Sequence, residues 1–153
     1  MSHDAQGVVE RLEAKFPGLV EKTPSQDQPT VYVPRQNALA VMEYLKNDEG
    51  FRLLLDVAGV DYFPAHPRFE VVYHLFHPLF AIRLRVKVRL DEDETVPSVV
   101  GLWPGANWPE REAYDLLGIV FDGHPQLTRI YLPDDWEGHP LRKDYPTTGR
   151  RSD

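Results

Sequence analysis

The sequence contains no cysteine. That absence removes a disulfide framework, a thiolate nucleophile and an iron–sulfur cluster with all-Cys ligation. If the chain belongs to a redox machine, it is expected to carry no iron–sulfur centre of that machine. Zero Cys also suits a reducing compartment. Positive charge is scarce: 17 Lys and Arg stand against 24 Asp and Glu, a formal net charge of −7. A net field of that sign disfavours nucleic acid and anionic membrane surfaces as partners. No apolar run approaches the ~20 residues that span a bilayer. The start, Met1-Ser2-His3-Asp4, offers neither a basic nor an apolar region of the secretory type, so no leader is expected. The chain is expected to be soluble and to meet a membrane only through partners. The P-loop, G-x-G-x-x-G, G-x-S-x-G and H-E-x-x-H patterns are missing as well, so no independent active site is predicted.

What is present describes an ordered domain. With 153 residues, 42% of them hydrophobic and 27% charged, the chain suffices for one core. Its 14 Pro are denser in the last third, which predicts an extended, turn-rich end rather than a long helix. Val8, Val9, Leu12 and Phe16 make an amphipathic helix over 4–16, with Asp4 as N-cap and Pro17-Gly18 as its stop. Residues 19–29 read as a polar loop and Thr30–Val33 as a short strand. A second helix is predicted over 36–47, its apolar stripe formed by Leu39, Met42, Tyr44 and Leu45. Three strands follow, Phe51–Val60, Phe69–Phe76 and Leu79–Leu90. The third alternates apolar residues with Arg83, Arg85, Lys87 and Arg89, the mark of a strand with one wet face. The short His77-Pro78 link predicts an antiparallel hairpin. Val96–Trp103 reads as a further short helix, and Asn107–Leu117 as a better one, with Asn107 as N-cap and Gly118 past its end. Brief strands are expected at Ile119–Phe121 and Leu127–Leu132.

The charged and aromatic residues admit few chemistries. The cationic row of the third strand is either a surface for an anionic partner or a solvated face neutralised by cross-strand carboxylates such as Glu70; the second is the ordinary case. No aromatic residues interleave with it, which leaves nucleic-acid binding without support. His74 and His77 would point to opposite faces of a strand, and His66 has no partner at ligand spacing. A metal set of His124, Asp134, Asp135, Glu137 and His139 is conceivable but follows no ligand pattern, so no metal is predicted. Glu110 and Glu112 flank Arg111 where a helix dipole favours acids. Glu112 and Asp115, three apart, could share a cation from another segment. Residues 103–146 combine Trp103, Trp108, Trp136, Tyr114, Tyr131, Tyr145, Arg129, Arg142 and Lys143 with little regular structure. Segments of that composition supply binding hot spots. An arm lying on a partner is the first reading, and a loop folded over its own sheet the second.

Between Asn107 and Pro146 the sequence resembles a known family. The run Asn107-Trp108-Pro109-Glu110-Arg111-Glu112-Ala113-Tyr114-Asp115-Leu116-Leu117-Gly118-Ile119 is similar to the signature of the 30 kDa-type subunit of respiratory complex I, its C subunit in bacterial lettering. Phe121-Asp122-Gly123-His124-Pro125, Arg129-Ile130 and Gly138-His139-Pro140-Leu141-Arg142-Lys143-Asp144-Tyr145-Pro146 continue it. Thr128 and Tyr131 depart from the family pattern, which commonly has a basic residue before the equivalent of Arg129 and an aliphatic one after Ile130. The order of the elements predicts a single α+β domain with a mainly antiparallel sheet, N-terminal helices and an extended Pro-rich C-terminal arm. Residues 1–106 would form the core, and residues 107–153 the signature helix and docking arm. The resemblance implies a non-catalytic structural subunit in the peripheral arm of a proton-translocating NADH:quinone oxidoreductase, at the cytoplasmic face of the cell membrane or the equivalent side of another energy-transducing membrane. The partners would be other complex I subunits, chiefly the D subunit and also the B and I subunits, with flavin, clusters and quinone all held elsewhere. Glu110, Arg111, Glu112 and Asp115 would form a charged helix face that holds the arm or meets a neighbour. His124, Arg129, His139, Arg142, Lys143 and Asp144 would fix the arm, with Trp136 and Tyr145 as apolar anchors. Related membrane-bound hydrogenases and F420- or ferredoxin-linked dehydrogenases use similar subunits. A stand-alone metal-dependent hydrolase is the rival of another class.

Overall fold

Alternation along Ile82–Leu90 decides which side of the molecule becomes core. Ile82, Leu84, Val86, Val88 and Leu90 are buried, whereas Arg83 and Arg89 are exposed between them. In the computed structural model, which describes residues 4–18, 20–23 and 28–146, this strand is the centre of a five-stranded sheet. The chain runs α1 (Ala5–Lys15), β1 (Glu21–Thr23), β2 (Thr30–Tyr32), α2 (Ala38–Asn47), β3 (Leu53–Asp61), β4 (Phe69–His77), β5 (Ile82–Leu90), β6 (Thr95–Pro97), α3 (Asn107–Leu117) and β7 (Val120–Asp122). The sheet order is β1-β2-β5-β4-β3. β4 and β5 form the expected antiparallel hairpin, and β3 pairs antiparallel with β4. β2 lies parallel to β5, and β6 and β7 make a separate parallel pair. The result is one α+β domain with a mixed, mostly antiparallel sheet.

The helices bury their apolar stripes against one face. α1 contributes Val8, Val9 and Leu12, and α2 contributes Ala38, Val41, Met42 and Leu45, packed with Val31, Val71, Tyr73, Leu75, Leu84 and Val86. Each of the larger side chains contributes roughly 1.5–3 kcal/mol on burial. Asp4 caps α1, its Oδ1 accepting from Gly7 N–H at 2.8 Å. Arg11 clasps Glu49 with two donors at 2.9 Å, joining α1 to the end of α2. α3 crosses β3 where Gly59 admits it: a Cβ there would stand 2.6 Å from Leu117 Cδ1 and 2.9 Å from Ile119 Cδ1. On the opposite face Glu70 is buried, with Lys87 Nζ at 3.3 Å and Arg89 Nε at 3.8 Å. The cationic row therefore has the cross-strand carboxylate foreseen for a solvated face.

Several local expectations are corrected. Residues 21–23 of the predicted loop form β1, while Pro24, Ser25, Gln26 and Asp27 lie outside the described residues, as do residues 147–153. The stripe of α2 is rotated: Val41 is inside and Leu39 is exposed, because burial follows the i, i+3, i+4, i+7 set that starts at Ala38. Val96–Trp103 is no helix. Thr95–Pro97 pairs with β7, and Ser98 N–H continues to Asp122 O at 2.8 Å. Asn107 does not cap α3, because a 3-10 turn, Pro104–Ala106, leads into the helix and already places Asn107 in helical geometry. Leu127–Leu132 forms no strand; its amides have a different acceptor, described next.

Candidate functional site

The signature helix α3 is set by Pro109 in its first turn and by Gly118, whose φ of +79° ends it in the left-handed region. Its buried residues are Glu110, Ala113, Asp115 and Leu117, so carboxylates alternate with apolar side chains on the inward face. Burying a carboxylate costs several kcal/mol unless partners are built around it. Both acids have such partners.

Asp115 organises the arm. Its Oδ2 accepts from the backbone N–H groups of Ile130 (3.1 Å), Tyr131 (2.8 Å) and Leu132 (3.2 Å), and its Oδ1 accepts from Arg129 Nη1 at 2.7 Å. These amides use a side-chain acceptor instead of a β-ladder, which is why the predicted strand is missing. Burial pushes the Asp115 carboxyl up, but the Tyr131 N–H, the Arg129 guanidinium and the neighbouring amides outweigh it and hold the carboxyl below the usual range. Arg129 Nη2 donates onward to Trp136 O (3.1 Å) and Gly138 O (2.8 Å).

The arm also completes the end of α3, where helical carbonyls lack intrahelical donors and the dipole favours cations. Asp115 O accepts from Arg129 Nη1 at 3.1 Å and from His139 Nδ1 at 3.0 Å. Leu116 O accepts from Leu141 N–H at 3.0 Å, and Leu117 O from Arg142 Nε at 2.7 Å. Burial lowers the pKa of the His139 ring. Gly118 is required again here: a Cβ would stand 2.6 Å from Arg142 Nη2 and 2.7 Å from His139 Cδ2. Arg111 binds the arm from the outside, through Thr128 O at 3.3 Å and Thr128 Oγ1 at 3.0 Å, and Glu112 Oε1 accepts from Tyr131 O–H at 3.3 Å. The two residues that depart from the family pattern, Thr128 and Tyr131, are therefore both stitched to α3.

Glu110 serves the opposite end. Ser98 O–H donates to its Oε1 at 2.6 Å and Val99 N–H to its Oε2 at 2.9 Å, and the carboxyl is fully buried. His124 stands beside it, Nε2 lying 4.0 Å from Oε1. That ring donates from Nε2 to Asn107 O at 3.1 Å and accepts Gln126 N–H at Nδ1. Burial pushes Glu110 from 4.5 up to about 7, against the Ser98 and Val99 hydrogen bonds that favour its charged form. A carboxyl raised on folding contributes stability that is present below its unfolded value and lost as pH rises toward the folded one. Stability from this group should therefore decline between pH 4.5 and about 7, by at most about 3 kcal/mol. Glu110→Gln keeps the shape, with an amide N–H facing Ser98 Oγ, and should lose that decline. Urea midpoints at about pH 5 and about pH 8 test this; parallel shifts in the two proteins would refute it.

A second cluster receives the end of the arm. Arg68, buried, grips Asp61 through Nε at 2.8 Å and Nη2 at 2.9 Å, Glu92 through Nη1 at 2.5 Å and Asp144 through Nη2 at 2.6 Å. Lys143 contributes its backbone N–H to Asp61 Oδ2 at 2.8 Å, and Arg142 Nη1 lies 3.4 Å from Glu92 Oε1. Burial acts to raise Asp61, yet the Arg68 guanidinium and the Lys143 and Phe63 amides hold it down at about 2. Asp61, Arg68 and Glu92 escaped the sequence reading. Arg68 and Asp144 lie 76 residues apart, and neither occupies a motif that points to the other.

Trp136 and Tyr145, expected as apolar anchors, are half-buried, and Trp136 Nε1 and Tyr145 O–H are buried without a protein partner. His124, Asp134, Asp135, Glu137 and His139 are not gathered into a metal site; among the described residues no group of three or more His, Cys, Asp or Glu could hold an ion. Residues 129–142 are bonded to α3 of their own domain, through Asp115 and the carbonyls that end the helix.

Comparison with known proteins now bears on the whole arrangement. Residues 31–151 match the family model described as respiratory-chain NADH dehydrogenase, 30 Kd subunit. The chain belongs to that family. It is 46% identical over 150 residues to the NADH-quinone oxidoreductase C subunit of Roseiflexus sp. (strain RS-1), covering 95% of this chain and 86% of the relative. It resembles the trypsin-resistant fragment (1-134) of Nqo5, with a TM-score of 0.69, 36% identity, and coverage of 80% of this chain and 98% of that one. It also resembles a chain of the membrane-bound sulfane sulfur reductase, an archaeal respiratory membrane complex, with a TM-score of 0.79, 27% identity and coverage of 93% and 85%. In this 30 kDa-family chain the signature blocks form one closed structure. The helix supplies Asp115 and three terminal carbonyls, and the Arg129, His139 and Arg142 blocks supply their donors. On the outer side of α3, Trp108 of the signature and the adjoining Tyr131 are exposed, with the half-buried Arg111 beside them. The Trp108 and Tyr131 rings meet edge to face at 6.2 Å, and Arg111 lies 5.6 Å from the Trp108 ring.

Proposed function

We propose that this chain is the 30 kDa-type (C) subunit of a proton-translocating NADH:quinone oxidoreductase, a non-catalytic structural component of its peripheral arm. The observation that carries the reading is the family match across residues 31–151. The internal chemistry supports it. Asp115, Arg129, His139 and Arg142 are spent on closing the arm over α3, Glu110 on Ser98 and Val99, and Asp144 on Arg68. The outward residues, Trp108, Arg111 and Tyr131, are of the types that anchor protein interfaces. The partners are chiefly the D subunit, with the B and I subunits beside it; D and B form the quinone pocket and hold the terminal cluster, and the flavin lies in other subunits of the assembly. The chain itself binds no cofactor and meets the cytoplasmic face of the membrane through those partners. Among the described residues no helix is long and apolar enough to cross a bilayer. A second reading, the equivalent subunit of a sister respiratory assembly, is favoured by the likeness to the sulfane sulfur reductase chain.

A tagged copy pulled from gently solubilised membranes tests both readings. Recovery of a large assembly with iron–sulfur subunits, a flavin module and NADH:quinone activity is the expected result. An assembly without NADH oxidation would favour the sister reading. Recovery of the chain alone would defeat both.

A further inference from the structure

β3 ends the sheet. One side pairs with β4, and no described strand pairs with the other. At nine residues, Leu53–Asp61 is long for an unpaired edge and carries neither Lys nor Pro, the usual guards against strand addition. Its irregularity is confined to Leu54–Asp56, so residues 57–61 remain regular. Alternate backbone groups of that stretch face the free side, where an extended chain would satisfy donors and acceptors in register; the Val57 N–H is held by Asp56 Oδ1 at 2.9 Å.

The edge adjoins a groove. Between β3 and α3 lies a space of about 250 Å³ whose walls include Val57, Gly59, Pro109, Ala113, Leu116 and Leu141. A strand laid along residues 57–61 would aim every second side chain, ~7 Å apart, into this space. Leu141 on the groove is 60% exposed, and Leu53 and Leu55 are exposed further back along the same strand, at 46% and 50%. Asp56 and Glu112 stand on the groove wall, so the complementary segment is basic there. The same two carboxylates and the net charge of −7 set a second copy of this chain against itself on this edge.

We infer that the free edge of β3 accepts a strand: an extended segment of a partner protein, apolar at alternate positions and basic opposite Asp56 or Glu112. This rests on the reading of the chain as one component of a larger assembly, and it deepens that reading by assigning the surface and the mode of docking. Main-chain pairing supplies the attachment, and the groove supplies the selectivity, as in other cases of β-augmentation.

The experiment uses the assembled complex, recovered through a tagged full-length chain with a photo-reactive phenylalanine analogue at Leu55. The expected result is a cross-link to one short segment of another subunit, with amides of residues 57–61 exchanging at least tenfold more slowly in the complex than in the free chain. Leu116→Arg should leave the circular dichroism of the free chain unchanged and cut its incorporation at least tenfold. A complex that forms normally but shows no cross-link at Leu55 and no slowed exchange over 57–61 overturns the inference while leaving the subunit reading intact. A cross-link to a second copy of the chain overturns it as well. If no complex is recovered, the subunit reading fails and this inference falls with it.

Discussion

Asp115→Ala should cost about 3–5 kcal/mol of folding stability, because one side chain serves four donors and its loss leaves a nearly buried guanidinium without its counter-charge. The four are Arg129 Nη1 and the amides of Ile130, Tyr131 and Leu132. Arg129 keeps its bonds to the carbonyls of Asp115, Trp136 and Gly138, which offer dipoles but no net charge. The arm should therefore loosen before the sheet does. Urea unfolding gives the magnitude, and limited trypsin digestion gives the location, with early cleavage at Arg129, Arg142 and Lys143. Asp115→Asn should fall between the wild type and Ala, since one amide oxygen replaces two carboxylate oxygens. A loss below about 1 kcal/mol for Ala, with the arm as resistant as before, would show that the backbone amides and Arg129 find water as readily as they find Asp115.

Arg68→Met should be comparably severe, with a melting temperature lower by roughly 10 °C or more for a loss of about 3–5 kcal/mol. Arg68 holds Asp61, Glu92 and Asp144 together. Met fills the space but strands the Asp61 carboxylate in a buried place. Among the described residues Asp61 retains the amides of Phe63 and Lys143. The pH dependence distinguishes this cause from simple mispacking. Asp61 is depressed from 3.8 to about 2, so its contribution is present above 3.8 and lost as pH falls toward about 2. The gap between wild type and Arg68→Met should therefore narrow across that window. A gap that stays constant down to the acid limit would assign the loss to packing instead. Glu92 and Asp144 are too exposed to carry much of the effect.

The two clusters differ in how much of them a linear reading reveals. Every residue of the Asp115 cluster that uses a side chain, namely Asp115, Arg129 and His139, lies in a signature block and could be singled out. Their mutual assignment could not, because a helix period tells which residues share a face and not what that face meets. Glu110 illustrates this. An acid in the first turn reads as a dipole-favoured surface residue, yet here it points inward to Ser98 and Val99. The Arg68 cluster was invisible in its sheet half. Asp61 and Arg68 flank a loop between two strands, and their value comes from Lys143 and Asp144, which chain connectivity places far away.

Composition and periodicity alone determined the absence of thiol chemistry, the β4–β5 hairpin, and the extent of α3 and its glycine stop; the signature motifs carry the resemblance to the 30 kDa subunit family. These are properties of neighbours along the chain, where side-chain alternation and turn residues act within a few positions. The tertiary structure alone decided that residues 128–146 close over their own helix, that Leu127–Leu132 gives its amides to a carboxylate, that Leu39 faces out while Val41 faces in, and that Arg68 joins three acids. The polar ones are set by which donor meets which acceptor once water is excluded, and the facing of α2 by which of its apolar stripes meets the sheet. That choice depends on distances between segments tens of residues apart, which no local pattern encodes.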